Sequence, residues 1–190
     1  MAEDRRKKPV GNGRNDRSEA TYKDGELDGL WTKWDENGQK KLEATFKDGE
    51  LDGLSTTWYE NGKKWREGTF KDGKADGLHT QWYENGQKKW EGTYKDGELD
   101  GLSTTWYENG RKRFETTYKD GELDGLHTEW YKNGQKKYER TYKDGEEMGS
   151  TRWEYYSNGQ KERERTYKDG KKIEEIWWDW DGNEIAPPSP

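Results

Sequence analysis

The sequence predicts an all-β fold, an elongated single-layer antiparallel sheet built from tandem 24-residue β-hairpins. First, the motif Thr-(Tyr/Phe)-Lys-Asp-Gly begins at positions 21, 45, 69, 93, 117 and 141, always 24 residues apart, and once more at position 166. Second, Asn-Gly pairs separate short alternating segments, a pattern typical of hairpins. Third, Leu, Ile, Val and Phe make up only 17 of the 190 residues, whereas Trp and Tyr number 12 each. A repeat array with an aromatic face accounts for both numbers.

The repeats divide the chain into three parts. Residues 1–20 precede them and include four consecutive basic residues, so we expect a flexible basic N-terminal tail. Because this segment has no apolar stretch typical of a secretory signal, we expect a cytoplasmic protein. Residues 21–185 form an array of about seven units, the last one a degenerate cap, and residues 186–190 form a C-terminal tail. The Ile and Trp side chains of residues 173–185 predict a capping strand pair or a segment folded over the aromatic face, with a docking patch as the alternative.

Each unit is predicted to hold two strands joined by a three-residue loop. In the first unit this loop is residues 36–38, a type I turn that ends in a left-handed Gly38. The loop pairs Trp34 with Lys40. It also pairs Thr32 with Leu42, so that Trp34 and Leu42 share a face. The other connection, Lys-Asp-Gly-Glu-Leu-Asp-Gly, contains two glycines that can adopt the positive φ of a compact turn.

This register gathers aromatic side chains on one face of the sheet. They are either the sheet's own packing face, covered by lysine stems, or an open apolar strip that binds a protein partner. Stacking on an extended sugar chain is a third interpretation, because two strands per unit advance the sheet by about 10 Å. The candidate partner-binding residues are Trp34, Trp58, Trp82, Trp90, Trp106, Phe114, Trp130 and Tyr138.

Charged residues are predicted to separate between the two edges of the sheet. The Asn-Gly edge is rich in Lys and Arg, and the Asp-Gly edge is acidic. This distribution is either an ordinary mixed surface or a basic edge that meets anionic headgroups or an acidic partner. The candidate residues of the basic edge are Lys40, Lys64, Lys88, Lys112 and Lys136.

The composition argues against several functional classes. The net charge of −6 disfavours a nucleic-acid-binding protein, and the lack of cysteine excludes a thiol nucleophile and a Cys-based zinc site. His79 is predicted to face Glu91 across the strands as a surface pair, and His127 to face Glu139 in the same way. The acidic run at residues 24–28 departs from the calcium-loop pattern at its third position. We therefore expect no enzyme, no catalytic residues, no cofactor and no metal site.

The repeat unit resembles a known family. The segment from Trp90 to Gly101, Trp-x-Gly-x-Tyr-x-x-Gly-x-x-x-Gly, is similar to the MORN repeat (membrane occupation and recognition nexus). The longer run Asp-Gly-Leu-x-Thr-x-Trp-Tyr-Glu-Asn-Gly-Gln-Lys-Lys resembles the bacterial variant of this repeat, found in proteins called YwqK-family antitoxins. The resemblance covers residues 21 to about 183. It departs from the family pattern where Ala44, Thr116 and Arg140 stand in place of the first Gly.

This resemblance implies twisted rows of β-hairpins that are mostly non-enzymatic and bind proteins or lipid headgroups. With the residue patterns above, it predicts a scaffold that binds a protein partner through its aromatic face, with antitoxin-like neutralisation of a toxin as the specific form. The alternative is a peripheral adaptor that binds anionic phospholipid surfaces through the basic edge and the N-terminal tail. The partner's identity and the oligomeric state stay open.

Overall fold

A computed structural model describes residues 6–9, as backbone only, and residues 17–188. The rest of the predicted tail, residues 1–5 and 10–16, lies outside the described residues. Residues 6–9 form a strand, and the array begins at Ser18, so both differ from the predicted flexible tail because their backbone is paired in the sheet. The chain forms two compact units, of which the first ends at Asp100 and the second begins at Gly101.

The regular elements of the described residues are all β-strands, and they follow one another in the sheet in chain order. Neighbouring strands pair antiparallel, which confirms the predicted all-β array of hairpins. The first unit holds β1 (Arg6–Pro9), β2 (Ser18–Lys23), β3 (Glu26–Trp34), β4 (Lys40–Lys47), β5 (Glu50–Trp58), β6 (Lys64–Lys71), β7 (Lys74–Trp82) and β8 (Lys88–Lys95). After β9 (Glu98–Trp106), which begins in the first unit, the second holds β10 (Lys112–Lys119), β11 (Glu122–Trp130), β12 (Lys136–Lys143), β13 (Glu146–Tyr155), β14 (Lys161–Lys168), β15 (Lys171–Trp178) and β16 (Glu184–Ile185).

The Asn-Gly loops have the predicted three-residue form. In the first hairpin the Asp35 amide donates to the Gln39 carbonyl at 2.9 Å, and the Gly38 amide donates to the Asp35 carbonyl at 3.1 Å. Gly38 has a φ of 79°, the left-handed conformation that the last residue of this loop requires. Trp34 pairs with Lys40 beyond the loop. The predicted turn type and the first strand pair are therefore confirmed.

A β-bulge beyond this loop changes the predicted register. Lys33, not Thr32, pairs with Leu42, because the register shifts between Lys33 and Trp34 and inserts Lys41 as an extra residue. Since side chains along a strand alternate between faces, the shift places Trp34 and Leu42 on opposite faces. The Asn-Gly hairpins from β3 to β12 all have this shift. The prediction that the aromatic side chains share one face is therefore wrong.

The same shift changes what the histidines face. His79 pairs with Gly92 rather than with Glu91. His127 is displaced in the same way from Glu139. The predicted surface His–Glu pairs are therefore wrong, because the extra residue in each bulge moves the glutamates by one position.

The Asp-Gly connections are two-residue turns. Asp24 and Gly25 have φ values of 51° and 95°, and this positive pair is what a type I′ hairpin turn requires. The corresponding aspartate also has a positive φ in each following repeat. Successive turns are tied together, because the Gly49 amide donates to the Leu27 carbonyl at 2.9 Å. The Asp-Gly edge is therefore a hydrogen-bonded stack of turns.

The most buried side chains lie along the middle of the strands and are small or polar. Ala20 and Ala44 are the buried hydrophobic residues of the described part of the chain. One row of buried threonines, one per repeat, runs through Thr32, Thr56 and Thr80 in the first unit and Thr104 and Thr128 in the second. A sheet that buries threonine and alanine between larger neighbours needs few aliphatic residues, which explains the composition.

The seventh repeat forms the strand pair that the sequence predicts. β15 pairs with both residues of β16, Trp177 with Ile185 and Trp178 with Glu184. Ile173, Trp180 and Ile185 are exposed. This segment therefore adds strands to the sheet instead of covering its aromatic face. Its role as a cap stays a prediction, and so does the docking-patch alternative.

Candidate functional site

The two faces of the sheet carry different aromatic residues. We call the Trp face the one with Trp34, Trp58 and Trp82 in the first unit and Trp106 and Trp130 in the second. The five candidate lysines of the basic edge are the cross-strand partners of these tryptophans. The opposite face, which we call the His face, carries Trp90, Phe114 and Tyr138 with the two histidines. The structure thus brings five of the eight predicted aromatic residues together and separates the other three from them.

Lysine ammonium groups lie over Trp58, Trp82 and Trp130 of the Trp face. The Lys64 amine lies 5.7 Å from the centre of the Trp82 ring, at the distance of a cation–π contact, and forms an ion pair with Glu67. The same arrangement recurs in both units. Lys40 lies over Trp58, Lys112 over Trp130, Lys136 over Trp153 and Lys161 over Trp178, with Glu43, Glu115, Glu139 and Glu164 as the ion-pair partners.

The basic edge predicted from the sequence is therefore largely neutralised. Lys88 also has an ion-pair partner, Glu91, at 2.5 Å. At the Asn-Gly turns, the Lys63 amine donates to the Asn85 carbonyl at 2.9 Å, and the Tyr59 hydroxyl donates to the Trp82 carbonyl at 2.7 Å. The Lys63 and Tyr59 hydrogen bonds connect one repeat to the next, and the lysines of the ion pairs are already engaged within the sheet.

A row of exposed leucines also lies on the Trp face, and sequence reasoning did not single it out as a site. Its members each follow an Asp-Gly pair and stand four residues before the tryptophan, so their spacing was visible in the sequence. We call this set the Leu row. It consists of Leu30, Leu54 and Leu78 in the first unit and Leu102 and Leu126 in the second, and each side chain is between 44% and 53% exposed.

Threonines separate the leucines along the sheet. Leu30 pairs with Thr45, and Leu126 pairs with Thr141. Further along the second unit, Met148 and Ile173 are 47% and 62% exposed. They line a shallow depression of about 350 Å³ together with Thr141 and other polar side chains. The later repeats therefore also expose apolar side chains, although Gly149 stands opposite Thr141 where the earlier repeats have leucine.

On the His face, aromatic rings pack against the imidazole of His79 and bury it. This side chain is fully buried between Phe70 and Tyr94, with ring centres 5.0 and 4.8 Å away. Its Nε2 donates to the Thr69 carbonyl at 2.8 Å, and its Nδ1 has no hydrogen-bond partner among the described residues. The ring lies directly over Gly68, where a Cβ atom would come within 2.3 Å of Nδ1. Glycine is therefore required at position 68 to make room for the imidazole.

His127 occupies the corresponding position in the second unit, but different side chains surround its imidazole. Its ring stacks on Phe114, with centres 5.9 Å apart, and lies 5.6 Å from the Tyr138 ring. Thr116 replaces the glycine, and its hydroxyl forms a hydrogen bond with Nδ1 of His127 at 2.7 Å. The Thr116 departure from the family pattern is thus compensated by a hydrogen bond.

Burial lowers the pKa of both histidines below the ordinary value. For His79 the loss of hydration is the largest cause, and the nearby Arg66 cation lowers the pKa further, whereas the bond to the Thr69 carbonyl opposes this. For His127 burial is again the largest cause, followed by the Arg140 cation. Both imidazoles are therefore neutral in the folded protein at neutral pH.

We expect the free energy of unfolding to fall as the pH is lowered from about 6.5 to 5. A histidine whose pKa is lowered by folding stabilises fully above its unfolded pKa, near 6.5, and loses this stabilisation as the pH falls towards the folded pKa. The slope is at most about 1.4 kcal/mol per pH unit for each histidine. Urea unfolding at pH 7.5, 6.5 and 5.5 measures it.

The control for this prediction is the double variant His79→Ser/His127→Ser. Serine already stands at the same repeat position as Ser55 and Ser103. In the variant, the free energy of unfolding should depend less on pH between pH 6.5 and 5. Carboxylates such as Asp124 titrate below this window, because the hydrogen bond to Lys143 lowers the pKa of Asp124 in the folded protein. An unchanged slope in the variant would contradict the assignment to the histidines.

The two faces offer apolar and paired charged groups for contact. Within residues 17–188, no cluster of three or more His, Asp or Glu side chains could hold a metal ion. In the same part of the chain, no helix is long and apolar enough to cross a membrane. The candidate functional site is therefore the Trp face, with the Leu row as its exposed part.

The hairpin array identifies the family of the chain. The model of a MORN repeat variant matches residues 27–48, 51–72, 75–96, 99–120, 123–144 and 154–169. No curated protein matches the sequence significantly. Each of the six matched segments ends at the aspartate of an Asp-Gly turn, consistent with the structural period of about 24 residues. The predicted resemblance is confirmed, and the chain belongs to the MORN repeat family as a tandem array of its repeat variant.

Proposed function

We propose that this protein is a non-enzymatic scaffold that binds a protein partner through the Trp face, with the Leu row at the centre of the contact. The observation that supports this most is the half-exposed state of all five leucines, on a face where lysines lie over Trp58, Trp82 and Trp130. Exposed apolar side chains that recur along one face of a protein often mark an interface with another protein. Antitoxin-like neutralisation is the specific form of this proposal, and the predicted cytoplasmic location goes with it.

The binding free energy available from each leucine supports a contact that spans several repeats. Covering the exposed half of one leucine contributes about 1 kcal/mol, so a single leucine would not hold a partner. The three leucines of the first unit are spaced by about 10 Å per repeat. Together they would contribute a substantial part of the binding free energy that corresponds to a micromolar dissociation constant. A partner with apolar side chains along an extended surface matches this row.

The lipid-binding alternative finds less support in the charges. Binding to anionic headgroups needs cations free to approach the membrane. The lysines of the basic edge are instead paired with glutamates, as Lys136 is with Glu139 at 2.7 Å. Each such pair brings no net charge to a lipid surface. A protein partner is therefore the better match to the Trp face.

A photo-crosslinking experiment tests the proposal. A benzophenone side chain placed at position 78 should crosslink proteins in extracts of the source cells, and the variant Leu30→Glu/Leu54→Glu should abolish the crosslink, because it places two charges in the contact. The matched control is Trp65→Glu, which changes a side chain of similar exposure (47%) at a bulge outside the Leu row. This control should retain the crosslink.

Two results would contradict this function. One is a crosslink that survives the double leucine variant, since the contact would then lie elsewhere. The other is sedimentation with anionic vesicles that is lost at high salt, together with no protein crosslink at position 78. That pair of results would favour the lipid adaptor.

A further inference from the structure

Among the described residues, most of the outer edge of β15 has no partner strand. On that side the described residues provide only β16, which pairs with Trp177 and Trp178. The ladder does not continue past Ile185, because Pro187 and Pro188 have no amide hydrogen to donate. Residues 171–176 therefore present backbone donors and acceptors without a strand partner among the described residues. Such an edge is a template for another strand.

The sequence of this edge is complementary to itself when two copies run antiparallel. Residues 171–176 read Lys-Lys-Ile-Glu-Glu-Ile. Placed against a second copy, Lys172 stands opposite Glu175 of the other chain, and Glu175 stands opposite its Lys172. Opposite charges across two strands stabilise the pair, whereas a parallel arrangement would set lysine against lysine. The charges thus favour one orientation of a second copy.

The bulge in β15 makes this register possible. Directly opposed residues must lie on the same face of a sheet, whereas residues three apart on a regular strand lie on opposite faces. The register between β14 and β15 shifts between Thr166 and Tyr167 and inserts Ile173 as an extra residue. As a result Lys172 and Glu175 share a face, as their ion pair at 2.5 Å shows. Both can therefore meet their counterparts on the same side of an extended sheet.

Edge lysines often prevent strand association, but the pattern here does the opposite. Protection by charge works when like charges meet across the edge. In the antiparallel register each lysine at position 172 meets a glutamate, and Ile173, which is 62% exposed, gains cover from the neighbouring chain. The edge is therefore suited to a copy of itself.

We propose that β15 is the site of a symmetric dimer, formed by antiparallel pairing of residues 171–176 from two copies of this chain. The interface is short, so the dimer is weak and forms in the micromolar range or above. It does not involve the Leu row, and it stands independently of the proposed function. In the dimer the sheet continues from one chain into the other.

Sedimentation equilibrium of the full chain tests the dimer. The average mass should rise towards twice the 22.5 kDa of one chain as the concentration increases to about 300 µM. Lys172→Glu should weaken association at least tenfold, because it sets glutamate against glutamate. The matched control is Lys40→Glu, which breaks an equivalent Lys–Glu pair of similar exposure on β4 and should leave the dimer unchanged.

A mixture of two variants provides the decisive measurement. Lys172→Glu and Glu175→Lys should each be monomeric alone, and an equimolar mixture should associate, because every pair across the edge is again opposite in charge. This rescue also shows that both variants are folded. The proposal is overturned if the unmodified chain stays monomeric at all concentrations, if Lys40→Glu weakens the dimer equally, or if the mixture fails to associate.

Discussion

Replacing Gly68 with valine is expected to lower the free energy of unfolding by about 3 kcal/mol, the upper end of the usual cost of overpacking. A Cβ atom at this position would lie 2.3 Å from Nδ1 and 2.4 Å from Cε1 of His79, closer than real Cβ contacts. The imidazole is enclosed by Phe70 and Tyr94 and bonded to the Thr69 carbonyl, so it must lose this packing and this bond to move aside. Urea unfolding followed by tryptophan fluorescence measures the change.

Gly68→Thr is the matched control, since threonine has the shape of valine and carries a hydroxyl. Thr116 already uses its hydroxyl to bond Nδ1 of His127. Nδ1 of His79 has no such partner among the described residues. We expect the threonine variant to be more stable than the valine variant by about 1 kcal/mol, the usual value of one hydrogen bond. Equal loss of stability in the two variants would show that the threonine hydroxyl does not bond Nδ1 of His79, whereas no loss in either variant would show that the position tolerates a Cβ atom.

Deleting residues 45–68 is expected to destabilise the protein more than deleting residues 69–92, although each deletion removes one 24-residue repeat. Both deletions preserve the order of strands and turns. The first brings Ala44 to the place of Gly68, beside His79, where the methyl group does not fit. The second brings Gly68 to the place of Gly92 and creates no such contact. We expect a difference of about 2 kcal/mol, or roughly 4–8 °C in melting temperature.

The serine variant of the first deletion provides the control. Ala44 pairs with Ser55 in the native sheet, so Ala beside Ser is an arrangement that this fold already contains. Adding His79→Ser to the deletion of residues 45–68 should therefore restore most of the lost stability. If the two deletion variants have the same melting temperature without this change, the contact of Ala44 with His79 is not the cause of any loss of stability.

The turns of this fold could be predicted because their chemistry is local. A φ above zero at Gly38, and at Gly25 and Gly29 of the Asp-Gly connection, follows from the freedom of glycine to adopt that conformation. The period of 24 residues then repeats each turn, so one correct assignment extends along the whole array. The strand order needs no further information, since each strand pairs with its chain neighbours.

The register beyond the Asn-Gly loop could not be predicted in the same way. The bulge residue is Lys41 in the first hairpin, and lysine has no preference that marks a bulge. One signal was present: Trp65 stands at this position in the second hairpin, out of step with the aromatic residues of the other units. In the structure it lies 6.3 Å from the Tyr59 ring, where Lys89 covers Tyr83 in the next repeat. One bulge residue per repeat, which the sequence does not identify as such, thus places Trp90, Phe114 and Tyr138 on the face opposite the Trp face.

The Leu row was missed for a different reason. Its spacing is plain in the sequence, but exposure depends on what covers a side chain. The lysines that lie over the tryptophans leave Leu54 and its equivalents about half exposed. The sequence analysis selected the aromatic residues as binding candidates, whereas in the structure the leucines are the more exposed side chains.

Because each strand pairs with the strand that precedes it in the chain, the contacts of this fold are short in sequence. Proteins with local contacts fold faster than those that must join distant segments, and linear arrays can begin folding at any repeat. A hairpin such as β3–β4 has its turns and its partner strand within residues 26–47. It can therefore form while later repeats are still being synthesised, and each new hairpin then adds to an edge that is already folded.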